Sequence, residues 1–438
     1  MTEKKETPVR RGFFEKGTAV EEPDSKQVLK RNILFNLLDG GFFGFGLGFA
    51  SFSTILPLFV AQLTNSAVLI GLIPAIHNVG WQFPQLLTAK WLSKMDRYKK
   101  VVLLTTIHER LPFLGFAIIA LLLPYLDKHL ALVLTFALLV WQALGAGFTA
   151  NGWQNLMSKI IPQDGLATFL GIQSALSNLL GGLSAFLAGL ALSRMPQDFA
   201  YPSVFFAAFF CFILSWISLA QTKEATHTRP SLANTIESKP ITVRAIFKKE
   251  KGFLSFLVSR FLSQFGMMGF AFYTIYAVEQ LHMNTLTVGL MTSLLFITQT
   301  VANPILGRLA DKWSRMGTMT IGGLCTVLSL VSALLIRSGG WLFAIPFILY
   351  GIANTAFWTV GMSITLNYGT IEEKPTYVGL ANTLVAPATI LAPLLGGVLA
   401  DTFSYSTMFI TSLAFSIIAE IFLLALNFPH KAAGEPQS

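Results

Sequence analysis

Asp39, Glu109, Arg110, Arg260 and Glu420 each fall inside a long apolar run, where an ionised side chain has few ways to be solvated. A charge in hydrocarbon costs ~2.5 kcal/mol or considerably more, so each of these groups needs a partner, water or a task. Their spacing puts them in one layer. Asp39 lies eight residues past Arg31, Glu109 nine past Lys100, Arg260 nine past Lys251, and Glu420 eight before Phe428. At 1.5 Å per residue each sits roughly 12–14 Å along its helix from a common face. Counted as ions, the layer holds three acids against two bases, so one carboxyl lacks a cation. A carboxyl kept from water holds its proton more readily, which makes such a group a candidate proton carrier. The competing expectation is structural: Asp39 pairs with Arg110, Arg260 pairs with Glu420, and both pairs serve helix packing.

The elements that carry these residues are membrane-spanning helices. Of 438 residues, 53% are hydrophobic and 12% charged, and the mean hydropathy is +0.61. That balance belongs in lipid, where helix is the spanning structure this pattern supports. Twelve spans are expected, at 32–61, 67–91, 101–125, 130–157, 167–193, 202–221, 253–279, 285–307, 318–337, 341–367, 377–400 and 405–428. The net charge of +9 reports orientation and not a nucleic-acid partner. All but five of the 31 Lys and Arg fall in the termini or in the segments on the same side; the exceptions are Lys128, Arg194 and Arg337 on the other side and Arg110 and Arg260 within spans. The positive-inside rule therefore places both termini in the cytoplasm. Cys211 and Cys325 lie in apolar runs and are expected to pack, not to form a disulfide or bind a metal. The first apolar run follows some 30 polar residues and is too long for a signal-peptide core, so it is expected to remain as a span.

The chain divides into a tail (1–31), a six-helix half (32–221), a polar linker (222–252), a second six-helix half (253–428) and a tail (429–438). The halves resemble each other. Gly71 in Ala67-Val-Leu-Ile-Gly71 opens span two as Gly289 in Thr285-Leu-Thr-Val-Gly289 opens span eight. Gly171 and Gly379 open spans five and eleven, with Gly189 and Gly397 at a matching offset. Such internal repeats are expected of transporter folds.

The loop after span eight reads Gly307-Arg-Leu-Ala-Asp311-Lys312-Trp-Ser-Arg315, and the loop after span two reads Leu92-Ser-Lys-Met-Asp96-Arg97-Tyr-Lys99-Lys100. The first resembles the G-x-x-x-D-[RK]-x-x-R signature of the major facilitator superfamily, and the second keeps its Asp and basic residues without the opening Gly. The resemblance covers roughly residues 30–430 and implies an all-α fold of two pseudo-symmetric six-helix bundles. A carboxylate beside fixed cations can bridge helix ends and bias one arrangement of the bundles, so Asp96, Arg97, Gly307, Asp311, Lys312 and Arg315 are the candidate gate. Two departures weaken a drug-antiporter reading. Trp141-Gln142-Ala-Leu-Gly145 in span four has no Arg, and Ser177-Asn178-Leu-Leu-Gly181-Gly182 in span five keeps only the last glycines of a G-P-x-x-G-G pattern; Ala392-Pro393-Leu-Leu-Gly396-Gly397 in span eleven is nearer.

The resemblance also implies that spans one, four, seven and ten line a central cavity. On that ground Asp39 is favoured as the proton carrier, with Glu109 second. The implied substrate residues are Gln142, Asn151, Gln154 and Asn155 in span four, Gln264, Tyr273 and Tyr276 in span seven, and Tyr350, Asn354 and Trp358 in span ten. Adaptable aromatic walls with a few amides suit a neutral or amphipathic organic molecule. His77 is a weaker candidate relay, because a lone buried imidazole is more often simply hydrogen-bonded. No catalytic triad, metal-ligand spacing or phosphate-binding glycine loop stands out, so neither an enzyme nor a cofactor is expected. The reading is a monomeric plasma-membrane secondary transporter whose partners are the bilayer, a small-molecule substrate and protons. Efflux is favoured; uptake is the alternative, and a transporter-like sensor or lipid-handling protein is less favoured.

Overall fold

The computed structural model describes residues 23–52, 55–64, 67–224, 243–283, 285–370 and 372–427. Twelve spans follow one another. Span one, expected over 32–61, is the helix Pro23–Phe49, followed by the separate short helix Ile55–Ala61, and spans four, five and six are the single helices Lys128–Ile160, Leu166–Arg194 and Gln197–Ala220. Spans eight, nine and twelve are Thr285–Lys312, Arg315–Leu335 and Tyr405–Asn427. The other five are built from pieces. Span two joins Ala67–Gln82 to Gln85–Leu92, span three joins Lys99–Arg110 to Pro112–Leu122, and span eleven joins Lys374–Thr383 to Ala386–Thr402. Span seven runs Lys251–Gly266, Met268–Phe272 and Tyr273–Glu279, and span ten contains a π turn at Ala356–Val360. Among the described residues, nine helical stretches are long and apolar enough to cross a membrane. The chain is a multi-pass integral membrane protein. Tails 1–22 and 428–438 and linker residues 225–242 lie outside the described residues.

Local chemistry fixes several helix starts. Asp127 accepts from the backbone N–H groups of His129 and Leu130 at the start of span four, and Ser314 accepts from Gly317 N–H at the start of span nine. Each satisfies donors that a helix start leaves open. Proline supplies the break in span two, where Pro84 stands between the two pieces.

The two halves repeat one packing scheme. Span one packs on five and six, three on four and six, and two on four; likewise seven packs on eleven and twelve, nine on ten and twelve, and eight on ten. Each half has its own apolar core. Phe113, Phe116, Phe205 and Phe212 centre the first, and Tyr273, Phe343, Phe347 and Phe409 centre the second.

The halves meet through spans five and eight and through spans two and eleven. Both junctions depend on a glycine. A Cβ on Gly171 would strike the carbonyl oxygen of Asn303, and one on Gly379 would come within 2.7 Å of that of Gln85. Asn303 and Gln85 each fall fourteen residues past Gly289 and Gly71, so the two junctions are copies of one contact. Both lie in the half of the protein toward the face where Pro23 and Asn427 sit, here termed the basic face.

Candidate functional site

Three of the five layer residues come together in the first bundle. Arg110 Nη2 stands 3.3 Å from Asp39 Oδ1, and Arg110 Nη1 stands 3.5 Å from Glu109 Oε2. Ser215 of span six donates to Asp39 at 2.5 Å and receives a bond from Arg110 at 2.8 Å, while Thr106 donates to Glu109 at 3.1 Å. The guanidinium also lies 5.2 Å from the Phe43 ring centroid. All three charged residues are buried. One cation thus serves two acids, and two hydroxyls donate to them, while Arg110 Nε has no hydrogen-bond partner among the described residues.

The expected partnership of Arg260 with Glu420 does not form. Ser259 donates to the Ala419 carbonyl at 3.0 Å, which turns that side of span seven to span twelve. Arg260, about 100° further round the helix, faces a small pocket between the bundles instead. Glu420 points at Gly323 of span nine, and among the described residues neither of its carboxyl oxygens has a hydrogen-bond partner. Among the described residues, the acid left without a cation is therefore Glu420, and Asp39 is paired.

The Asp39, Glu109 and Arg110 cluster lines a cavity of about 270 Å³. Phe43, Trp81 and Trp153 supply aromatic walls, and Gln173, Ser177 and Asn178 supply polar groups from span five. Span five was not among the elements that the resemblance picked out. The volume falls just below the usual ligand range of roughly 300–1,000 Å³, which suits a small ligand or a partly closed site.

The remaining candidates separate by depth. Gln264 and Trp358 line the pocket of Arg260. Gln142 is buried against the His77 ring at 3.1 Å, and that ring stacks on Phe52, so His77 is held as an ordinary hydrogen-bonded histidine. Tyr273 and Tyr276 sit in the second aromatic core, the former bonded to Ser329 at 2.8 Å, and Tyr350 stacks on Phe270 with centroids 3.6 Å apart. Asn354 is half-buried on span ten. Gln154 is buried, and its side-chain nitrogen has no hydrogen-bond partner among the described residues.

Asn151 and Asn155 belong to a closed junction and not to the cavity wall. Asn151 Nδ2 donates to the Gln85 carbonyl at 2.7 Å and, across the bundles, to the Pro375 carbonyl at 3.0 Å, and Asn155 donates back to Asn151. Asn382 bonds Gln85 Oε1 at 2.6 Å, and Thr383 donates to the Phe83 carbonyl at 3.2 Å. Gln85, Asn382 and Thr383 were not singled out from sequence, although each is an uncharged polar residue within an apolar span.

The signature after span eight closes the other junction. Asp311 accepts from the N–H groups of Ala167 and Thr168 at 3.2 and 2.6 Å, at the start of span five in the opposite bundle. A carboxylate there meets unpaired donors and the positive end of the helix dipole. Arg315 holds Asp311 at 3.1 Å and donates to the Gln163 carbonyl, while Lys312 is exposed. Gly307 is required because a Cβ would collide with the Ala167 backbone. The first-half copy is built differently. Asp96 and Arg97 are exposed, and the Asp96 carbonyl accepts from Lys159. Glu224, in the polar stretch after span six, pairs with Lys159 at 2.7 Å and accepts from Tyr98 and Lys99 N–H at the start of span three.

A sequence model of the Major Facilitator Superfamily matches residues 2–185 and 256–438. The chain belongs to that superfamily. It is 30% identical over 156 residues to Multidrug resistance protein 1 of Bacillus subtilis, a match covering 35% of this chain and 39% of that protein. It is 24% identical over 298 residues to the mouse MFS-type transporter SLC18B1, covering 63% of this chain and 60% of that protein. Both matches span less than two thirds of those relatives' lengths. Among solved structures, a bacterial homologue of the iron transporter ferroportin in its outward-facing state superposes with a TM-score of 0.71 at 12% identity, covering 92% of this chain and all of that one. The Escherichia coli fucose:proton symporter FucP gives 0.69 at 14% identity, covering 90% of this chain and 99% of its own. At such identity these likenesses show the superfamily fold alone.

Proposed function

We propose that the protein is a proton-coupled secondary transporter that exports a small neutral or amphipathic organic molecule across the plasma membrane by alternating access, acting as a monomer. The observation that carries this reading is the arrangement of the 270 Å³ cavity, whose wall holds a buried carboxyl pair sharing one arginine. With two acids and one cation, the cluster is neutral when it holds one proton. Such a group can exchange that proton as the cavity changes its exposure.

The basic face is assigned to the cytoplasm, because Lys and Arg concentrate there. Both junctions between the bundles then close the cytoplasmic side, and the state corresponds to an outward-facing one. Substrate from the cytoplasm enters after Asn151, Gln85, Asp311 and Gly307 part from their partners across the bundles. Export is favoured by the phenylalanine-rich first span and by the partial likeness to Multidrug resistance protein 1.

The test is purified protein in liposomes with an imposed pH gradient and a panel of labelled compounds. Accumulation of any compound against its gradient, abolished by a protonophore and by Asp39→Asn, supports proton-coupled transport, and the direction of accumulation relative to protein orientation separates export from uptake. Full pH-driven accumulation by Asp39→Asn excludes that residue as the carrier.

A further inference from the structure

Arg260 is about nine-tenths buried, within the membrane, and among the described residues no carboxylate pairs with it. Its aromatic contact, Phe256, lies 5.9 Å from the guanidinium, near the outer limit of ~6 Å for such an interaction. A cation in that position is costly unless something compensates it. The acid that the sequence offers, Glu420, faces another helix.

The pocket that Arg260 faces lies between the bundles. Trp81 and Gln82 come from span two, Gln264 from span seven, Trp358 from span ten and Asn382 from span eleven. Every one of these four helices is interrupted beside the pocket. Span two breaks between Gln82 and Gln85, span seven between Gly266 and Met268, and span eleven between Thr383 and Ala386, while span ten carries its π turn at Ala356–Val360. Interrupted helices and π turns expose backbone groups and recur at ligand sites in membrane transporters. Four meeting at one unpaired arginine is a built site.

Its chemistry is specific. A guanidinium presents paired donors that match a planar carboxylate, the amides add donors around it, and two indoles whose centroids lie 5.6 Å apart offer an aromatic wall. Trp81 also lines the 270 Å³ cavity, so it borders both that cavity and the pocket of Arg260. In this state the pocket itself holds about 10 Å³, room for about one water. A ligand larger than a water therefore reaches the guanidinium only when the pocket widens.

We propose that Arg260 is the anchor for a carboxylate on the transported molecule, which sets aside the neutral part of the substrate class proposed above and narrows it to amphipathic, aromatic organic acids. This rests on the transporter reading only for calling the ligand a substrate; the anion site itself is a separate claim.

The test uses three probes of one shape and different charge: indole-3-acetate, indole-3-acetamide and tryptamine. Binding to the full-length protein in detergent is followed by thermal stabilisation and by isothermal titration calorimetry. The wild type is expected to bind the acid at least tenfold more tightly than the amide. Arg260→Gln is expected to bind both equally, and Arg260→Lys to retain part of the preference, with size-exclusion profiles showing that each variant is folded. Equal binding of acid and amide by the wild type, tighter binding of the amine, no binding of any probe, or an intact preference in Arg260→Gln overturns the proposal. Anion preference without flux in liposomes would retain the site and remove the transporter reading.

Discussion

Replacing Gly379 by alanine inserts one methyl group at the junction of spans two and eleven. That Cβ would lie 2.7 Å from the Gln85 carbonyl oxygen and 2.8 Å from Leu86 Cα, against 3.4 Å for the near edge of an ordinary contact. The shortfall is 0.7 Å, and the obstructing atoms are backbone, which cannot swing aside as a side chain can. Overpacking of this kind costs typically ~1–3 kcal/mol. The contact exists only while the basic face is closed, so the cost falls on that state alone and shifts the balance roughly 5- to 150-fold toward the open one. The gain in helix propensity from glycine to alanine is common to both states and cancels. Spin labels on Lys94→Cys and Glu372→Cys, two exposed positions at the ends of these spans, report the opening as a longer inter-label distance. Both native cysteines are replaced first, since Cys211 and Cys325 are free thiols. Gly182→Ala is the control, because a Cβ there meets nothing within 4 Å. A distance distribution for Gly379→Ala that matches the parent, or one that Gly182→Ala reproduces, would refute the steric reasoning.

Arg110→Ala leaves Asp39 and Glu109 buried without their shared cation; a loss of ~3–5 kcal/mol is expected, read as a lower unfolding temperature in detergent, and Asp39→Asn in the same chain should recover part of it. Asp311→Asn removes the charge from two helix-start bonds across the bundles, which at ~1.5–3 kcal/mol for a charged hydrogen bond should lengthen the spin-label distance as Gly379→Ala does. Glu420→Gln removes a carboxyl that makes no hydrogen bond, so the unfolding temperature should hold or rise. A fall of several degrees there would mean that Glu420 has a partner in solution. Asp39→Asn should insert normally and lose pH-driven flux in liposomes.

Helix count, the two-half repeat and the motif after span eight were legible because each has a one-dimensional signature. An apolar run must be about a bilayer long, Gly171 and Gly379 recur at one register, and Gly307 and Asp311 are four residues apart on one helix face. Side-chain azimuth has no such signature. Depth along a helix put Arg260 and Glu420 in one layer, yet Ser259 turned toward Ala419 sends Arg260 the other way. The same limit explains Asn151 and Asn155. Their polarity marked them as inward-facing, but whether Asn151, with Asn155 bonded behind it, met a ligand or the Pro375 carbonyl depended on how the bundles dock. Glu224 gave still less warning, since it lies in a polar stretch and matters through where its carboxylate lands. Pro84 signals the break in span two, whereas nothing in Ala356-Phe-Trp-Thr-Val360 announces a π turn.

A repeated scaffold need not carry repeated chemistry, and here the two halves have diverged in what they leave unsatisfied. In the first bundle Arg110 serves Asp39 and Glu109, and Ser215 and Thr106 donate to the two carboxylates; among the described residues Arg110 Nε alone of that guanidinium is left buried without a hydrogen bond, and one proton balances the cluster's charge. In the second, Arg260 lines the pocket between the bundles with no carboxylate paired to it, and Glu420 has no hydrogen-bond partner, both among the described residues. A buried carboxyl can resolve this by holding its proton. A guanidinium has no comparable escape, because it stays charged at any accessible pH. The unpaired cation therefore has to look outward, to the space between the bundles, and there four interrupted helices meet it. The paired cluster is suited to moving a proton and the unpaired arginine to holding an anion. Trp81, touching both cavities, is the side chain through which occupancy of one site would be felt at the other.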